Sequence, residues 1–487
     1  MKIKKIIKII CITIILILGN SVLFKDNIKK VAASEMGKDE VREDSLLITC
    51  KDQEKMLKLE QLIRSNYKSQ LTNIDKIEEA NLLKVTLKNK ASSRELLADL
   101  NGAYKDVVQE SGYERKIKID DTANELKELP KKATLRSMVT KTNDLSKDKN
   151  AFHSFQWDVN IVTNDGKSYE LQKGNHNVKV AIIDSGIDFN HPDLKENIIS
   201  KGKSFVPNVD DTQDYLGHGT MVAGMIAANG KFMGVGPELG IVPYKVFQNG
   251  EAESSWIINA IIQAAKDNMD VINLSLSTYL SKNLTEDKVL MRAYQNALRY
   301  AKHHGSVVVA SAGNDALNLN KPKEIAEKRG YPEDYQLHFP GGSKEVMTVS
   351  ATSKEHTLAS YSNYGGITFS APGGDYGPFF NDTKEYDISS WILVTYPTNL
   401  PPTPLSVNLG FPRGYELEVG SSLATPKVSA LTALIIAEYR KNNHKDPSLS
   451  VIKNYLKKGA VDRGKRGFDN EFGYGEINAV NSLNYVK

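Results

Sequence analysis

Val178-Lys179-Val180-Ala181-Ile182-Ile183-Asp184-Ser185-Gly186-Ile187-Asp188 is the stretch that decides how this chain folds. Its first six residues are apolar except for Lys179, and the run stops at an acid followed by a glycine turn. A nearly continuous apolar strand, as opposed to an alternating one, belongs in a sheet covered on both faces, as parallel sheets are. Outward from it, similar runs at 241–247, 271–276, 307–310 and 346–349 alternate with helical patterns at 218–228, 256–266 and 290–302. This alternation predicts an α/β fold: a doubly wound, mostly parallel sheet with helices on both faces. In such sheets the working groups collect where strands end and helices begin.

The chain is longer than the about 100–200 residues of one ordinary domain, so further units are expected upstream. Leu46-Leu47-Ile48-Thr49, a helical pattern over 56–63, the alternating run 82–87 and a second helical stretch at 96–100 predict a small α+β domain over 44–115. Residues 116–150 are polar and aperiodic and read as an exposed linker, leaving 151–487 as the main domain. At the amino terminus, Lys2, Lys4, Lys5 and Lys8 precede an apolar run from Ile9 to Phe24, with small residues Val31-Ala32-Ala33 beyond. That is the layout of a secretory signal over 1–33, the run being short for a bilayer span of about 20 residues; an uncleaved anchor is the alternative.

The formal net charge of +4 sits in this segment, for residues 1–30 carry seven lysines and one aspartate. The remainder is slightly acidic, which speaks against nucleic acid as a partner. Cys11 lies in the signal and Cys50 stands alone after it, so the exported form has no intramolecular disulfide to form, and no Cys/His cluster has zinc spacing.

Three strand-to-helix junctions carry reactive residues: Asp184-Ser185-Gly186-Ile187-Asp188, Gly217-His218-Gly219-Thr220, and Gly420-Ser421-Ser422-Leu423-Ala424-Thr425-Pro426. Pro426 is expected in the first turn of a helix, where a missing N–H costs little, with Ser422 near its positive end. Each residue alone is unremarked: a turn Asp, a packed His, a capping Ser. Together they run Asp, His, Ser, an order used by one of three unrelated serine protease architectures. No glycine-rich phosphate loop follows any strand, which sets aside a nucleotide-binding α/β enzyme.

These motifs resemble those of the subtilisin-like serine proteases, over about 178–479. The resemblance implies a subtilisin-like fold, Asp184, His218 and Ser422 as catalytic triad, and Asn314 in Ser311-Ala312-Gly313-Asn314 as oxyanion-hole donor. It also implies substrate binding by Ser275-Leu276-Ser277 and Gly313, with Ser277 narrowing a pocket mouth where the family usually has Gly. The unit 44–115 is similar to the family's inhibitory prodomain, a partner the chain supplies to itself, with autocleavage expected between 116 and 155. No cofactor is needed for the chemistry. Many members bind calcium in a loop after the His helix; here Asn229-Gly230-Lys231-Phe232-Met233 is short and carries a Lys, so that site is doubted and calcium elsewhere left open.

Gln156-Trp157-Asp158, Thr163-Asn164 and Gly166-Lys167-Ser168-Tyr169 look like the opening segment of the lantibiotic leader peptidases, which process nisin and epidermin precursors. That resemblance implies one cut after a leader, commonly after Arg. Asp315, Glu333 and Asp334 are candidate arginine partners or plain surface charges, while His338 falls near the pocket floor. Long segments at 314–340 and 375–414 are expected to rim the cleft or to ornament the surface. A secreted monomer that meets membrane only during export follows, and Tyr485-Val486-Lys487 carries no wall-sorting tail. The alternatives are a broader extracellular protease, or a non-catalytic binding or immunity protein on the same fold.

Overall fold

The computed structural model describes residues 41–119, 154–383 and 385–486. The expected signal and most of the expected linker lie outside them.

The first unit comprises β1 (Val41–Cys50), β2 (Leu71–Ile77), β3 (Leu82–Leu87) and β4 (Val108–Lys118), with helices Gln53–Asn66 and Lys90–Asn101. Both helices are started by side-chain caps, Asp52 on the Lys55 N–H and Asn89 on the Ser92 N–H. Leu46, Ile48, Leu83, Val85, Leu59, Ile63, Leu96 and Leu100 form their common core. The sequence reading found β1, β3 and both helices but not β2, whose Asn, Asp and Lys leave only Ile74 and Ile77 buried, nor β4, which has no apolar run.

The second unit is built on β5 (Lys179–Asp184), β6 (Lys203–Ser204), β7 (Gly240–Lys245), the short β8 (Glu251–Glu253), β9 (Val271–Leu274), β10 (Thr278–Ser281), β11 (Val307–Ser311), β12 (Gln336–Phe339), β13 (Met347–Thr352), β14 (Phe369–Pro372), β15 (Ile392–Thr395) and β16 (Tyr415–Glu418). Seven of them form one sheet in the order β14-β13-β11-β9-β5-β7-β6. Every pairing in it is parallel. β5 lies inside, which explains the apolar run 180–183 at its centre. Val180 and Ile182 face a core shared with helices His218–Ala227 and Ser421–Asn443, while Ala181 and Ile183 face helices Ser254–Lys266 and Thr285–His303. The expected doubly wound α/β architecture is therefore found.

Two small ribbons flank the sheet: β10 with β12, and β15 with β16, both antiparallel. One strand of each, β12 and β15, lies in the long segments at 314–340 and 375–414. The units join edge to edge, because β4 pairs antiparallel with β8 and extends the small sheet onto the second unit. Gly112 of β4 lies so close to helix Thr285–His303 that a Cβ there would stand 2.5 Å from the Glu286 Cα.

Candidate active site

Asp184 ends β5 and is fully buried. Both its carboxylate oxygens lie 2.9 Å from His218 Nδ1, and Oδ1 also accepts the Ser185 N–H at 2.7 Å. The glycines around these residues are steric requirements. A Cβ on Gly219 would stand 2.1 Å from the Gly186 carbonyl oxygen, so the His218 helix can approach the Asp184 turn only without one.

Asp214, which the sequence reading passed over, organises the start of that helix. Its Oδ1 accepts the Leu216 and Gly217 N–H groups at 2.9 and 2.8 Å, and its Oδ2 the Thr220 N–H at 2.9 Å and hydroxyl at 2.7 Å. Ser185 Oγ donates to Asp214 and accepts the Gly219 N–H, both at 2.9 Å, and so ties the Asp184 and His218 junctions together. The only sequence sign was an acid four residues before the histidine, in capping range of the helix.

Ser422 stands second in helix Ser421–Asn443, so the positive helix end is beneath it. Pro426 is not in the first turn as expected but inside the helix. Its missing N–H leaves the Ser422 carbonyl without a helical donor, and Ser275 Oγ supplies one at 2.7 Å. Ser275 is held in turn by Asn273 Nδ2 at 3.0 Å, and Asn273 Oδ1 accepts from Ser429 Oγ at 2.8 Å. Ser275 thus supports Ser422 from behind through its side chain.

Asn314 approaches from the other side. Its Oδ1 accepts the Ser421 N–H at 2.9 Å, which fixes the amide so that Nδ2 is the end facing the serine. Ser422 Oγ and Asn314 Nδ2 both lie beside the same point, 3.0 and 3.8 Å from where a Cβ on Gly420 would be. The Gly313 N–H donates to Ser421 Oγ at 3.2 Å. Ser422 and His218 are each almost wholly buried, on two helices that pack against one another. Leu276 is buried and Ser277 half-buried in the link between β9 and β10, directly after Ser275.

The β15–β16 segment closes one side. Thr395 Oγ1 donates to the Thr220 carbonyl at 2.7 Å, Thr398 bonds Asp188 through its N–H at 2.7 Å and hydroxyl at 2.6 Å, and Tyr396 covers Gly217. In the short loop after the His218 helix, the Lys231 and Phe232 N–H groups donate to Asp193 at 3.1 and 2.9 Å, and Tyr415 Oη adds a third bond at 2.6 Å. The loop thus spends two of its N–H groups on the Asp193 carboxylate. Among the described residues no group of three or more His, Cys, Asp or Glu could hold a metal ion.

The subtilase family profile matches residues 175–475, most of the chain and all of these groups. The chain belongs to the subtilase family. This subtilase is 35% identical over 368 residues to the epidermin leader peptide-processing serine protease of Staphylococcus epidermidis, covering 70% of this chain and 77% of that one. It is 32% identical over 321 residues to the nisin leader peptide-processing serine protease of Lactococcus lactis subsp. lactis, covering 60% of this chain but 45% of that longer one. In three dimensions it superposes with a TM-score of 0.70 on the epidermin leader peptide processing protease of Staphylococcus aureus, at 29% identity, over 91% of this chain and 98% of that one. The subtilase is a serine endopeptidase, as the family and these relatives show.

Proposed function

We propose that this subtilase removes the leader from a lanthionine-containing precursor peptide, with Ser422 as nucleophile, His218 as general base and Asp184 as the group that orients it. The supporting observation is the paired contact of Asp184 with His218 Nδ1. With Nδ1–H held by the carboxylate, Nε2 is the basic nitrogen and takes the Ser422 proton as the hydroxyl attacks the scissile carbonyl. Asn314 Nδ2 and the Ser422 N–H then receive the oxyanion, and the helix end favours the same negative charge. His218 returns the proton to the leaving amine, and water repeats the sequence on the acyl-enzyme.

Similarity to two leader-processing proteases favours the narrow substrate over general proteolysis. Of the three acids considered for an Arg before the cut, two are bonded within the protein, Asp315 by Tyr279 Oη and Asp334 by Ser281 Oγ, both at 2.6 Å, while Glu333 is exposed. The proposal includes export by the 1–33 segment, action as a monomer, inhibition by the 44–115 unit until self-cleavage, and no calcium in the 229–233 loop.

The test is digestion of a modified precursor peptide of the epidermin or nisin kind, read by mass spectrometry. One cut at the leader junction, abolished by a fluorophosphonate, is expected. Cuts scattered through the leader and through casein at similar rates would establish a general protease instead. Ser422→Ala should lower turnover by about six orders of magnitude, the figure known for subtilisin itself, and leave the chain unprocessed. Asn314→Ala should cost about two to three orders in kcat, again by the subtilisin measure, with fluorophosphonate labelling of Ser422 retained.

A further inference from the structure

His338 is 2% exposed, and neither ring nitrogen has a hydrogen-bond partner. Buried polar groups are satisfied in the great majority of cases, so an imidazole with two idle nitrogens calls for an explanation. Its position supplies one. His338 lies on β12 directly across from Tyr279 on β10, with the rings edge to face at 5.2 Å, and β10 continues the Ser275-Leu276-Ser277 link. A Cβ on Gly313 would stand 3.0 Å from His338 Nε2, and one on Gly341 would stand 3.0 Å from Nδ1. The imidazole therefore sits directly against Gly313, one residue before Asn314, and against Gly341.

The charges around it are settled. Asp315 is bonded to Tyr279 Oη, which also accepts from Asn363 Nδ2 at 2.7 Å. The Arg329 guanidinium lies over the Tyr279 ring at 4.2 Å. Arg329 is the charge whose field reaches His338, where it adds to burial in holding the imidazole neutral, with a pKa down to about 3. His338 thus offers a neutral N–H donor beside a Tyr279 that carries both Asp315 and Arg329.

We propose that His338 determines which residue precedes the scissile bond, its ring N–H binding a carboxylate-tipped side chain, glutamate, rather than arginine or an apolar residue. The inference rests on the serine peptidase reading above and deepens it. A hydrogen bond to a charged acceptor distinguishes substrates by roughly 10- to 150-fold, and an ionised carboxylate accepts a stronger hydrogen bond than a neutral amide, which favours glutamate over glutamine.

The experiment uses the mature protein and four peptide anilides that differ only in Glu, Gln, Leu or Arg before the cleaved bond. Expected is the highest kcat/KM for Glu, with Gln next, and a Glu-to-Leu ratio that collapses in His338→Leu but is partly kept in His338→Gln. A Leu or Arg peptide cleaved as fast as the Glu peptide overturns the proposal, as does a His338→Leu protein that labels fully with fluorophosphonate yet keeps the Glu preference. If that variant does not fold, the wild-type series decides alone. Absence of both hydrolysis and labelling would strike at the peptidase reading, a different failure.

Discussion

At the residue scale, the serine junction shows how a proline shapes a reactive site. Pro426 removes a helical N–H and Ser275 replaces it at the Ser422 carbonyl. Ser275→Ala leaves that buried carbonyl unsatisfied, which should cost about 1–3 kcal/mol of stability. Ser275→Ala with Pro426→Ala should recover part of this, because the helix regains its own donor. Denaturant unfolding of both in the Ser422→Ala background measures it, and a double variant no better than the single one would refute the account. Asp184, His218 and Ser422 were readable because each sits in a short contiguous motif. The tasks of Ser275 and Asp214 were not, since they depend on groups that meet only after folding.

Helices and strands were legible in proportion to how much of their burial they bring themselves. β5, β7, β9 and β11 are mostly apolar and almost wholly buried, and appeared as such. β6, β8, β10 and β12 are two to four residues long and are defined by their partners, so no periodicity announced them. Helix Trp157–Thr163 is joined to helix Ser421–Asn443 by Asp158 and Lys427, both wholly buried and 2.8 Å apart, with Lys427 also donating to the Pro372 and Leu423 carbonyls at 3.0 Å. Removing one member of such a pair strands a charge, so Asp158→Ala should cost about 3–5 kcal/mol in urea unfolding, and replacing both by apolar residues should restore most of it. Equal loss in the single and double variants would count against this.

Across the whole molecule, the two units meet through charge. Lys84 and Arg42 each pair with Glu253, Arg115 reaches Asp287 at 2.8 Å, and Glu114 lies 3.8 Å from Lys84. Burial, with Glu253 adding and Lys84 opposing, pushes the Glu114 carboxyl up to about 7. A folded-state value above the unfolded one means that the folded chain keeps the extra proton. Stability from this group is therefore fullest below its unfolded pKa of about 4.3 and declines as pH rises to about 7. In the full-length Ser422→Ala chain, melting temperature should fall from pH 5 to pH 8 by more than in the same chain with Glu114→Gln. Equal slopes would show that Glu114 does not titrate there. Composition revealed that two units exist, but not that they share a sheet, because β4 and β8 carry charges where a buried seam would ordinarily be apolar.

That seam also bears on solubility. β8 is a three-residue edge whose partner strand belongs to the other unit. In the proposed maturation the first unit leaves with Lys84 and Lys116, and Glu251 and Glu253 would then stand bare on the open strand. Two like charges on so short an edge repel the matching edge of another copy, which keeps the uncovered strand from seeding aggregates at the moment it is exposed.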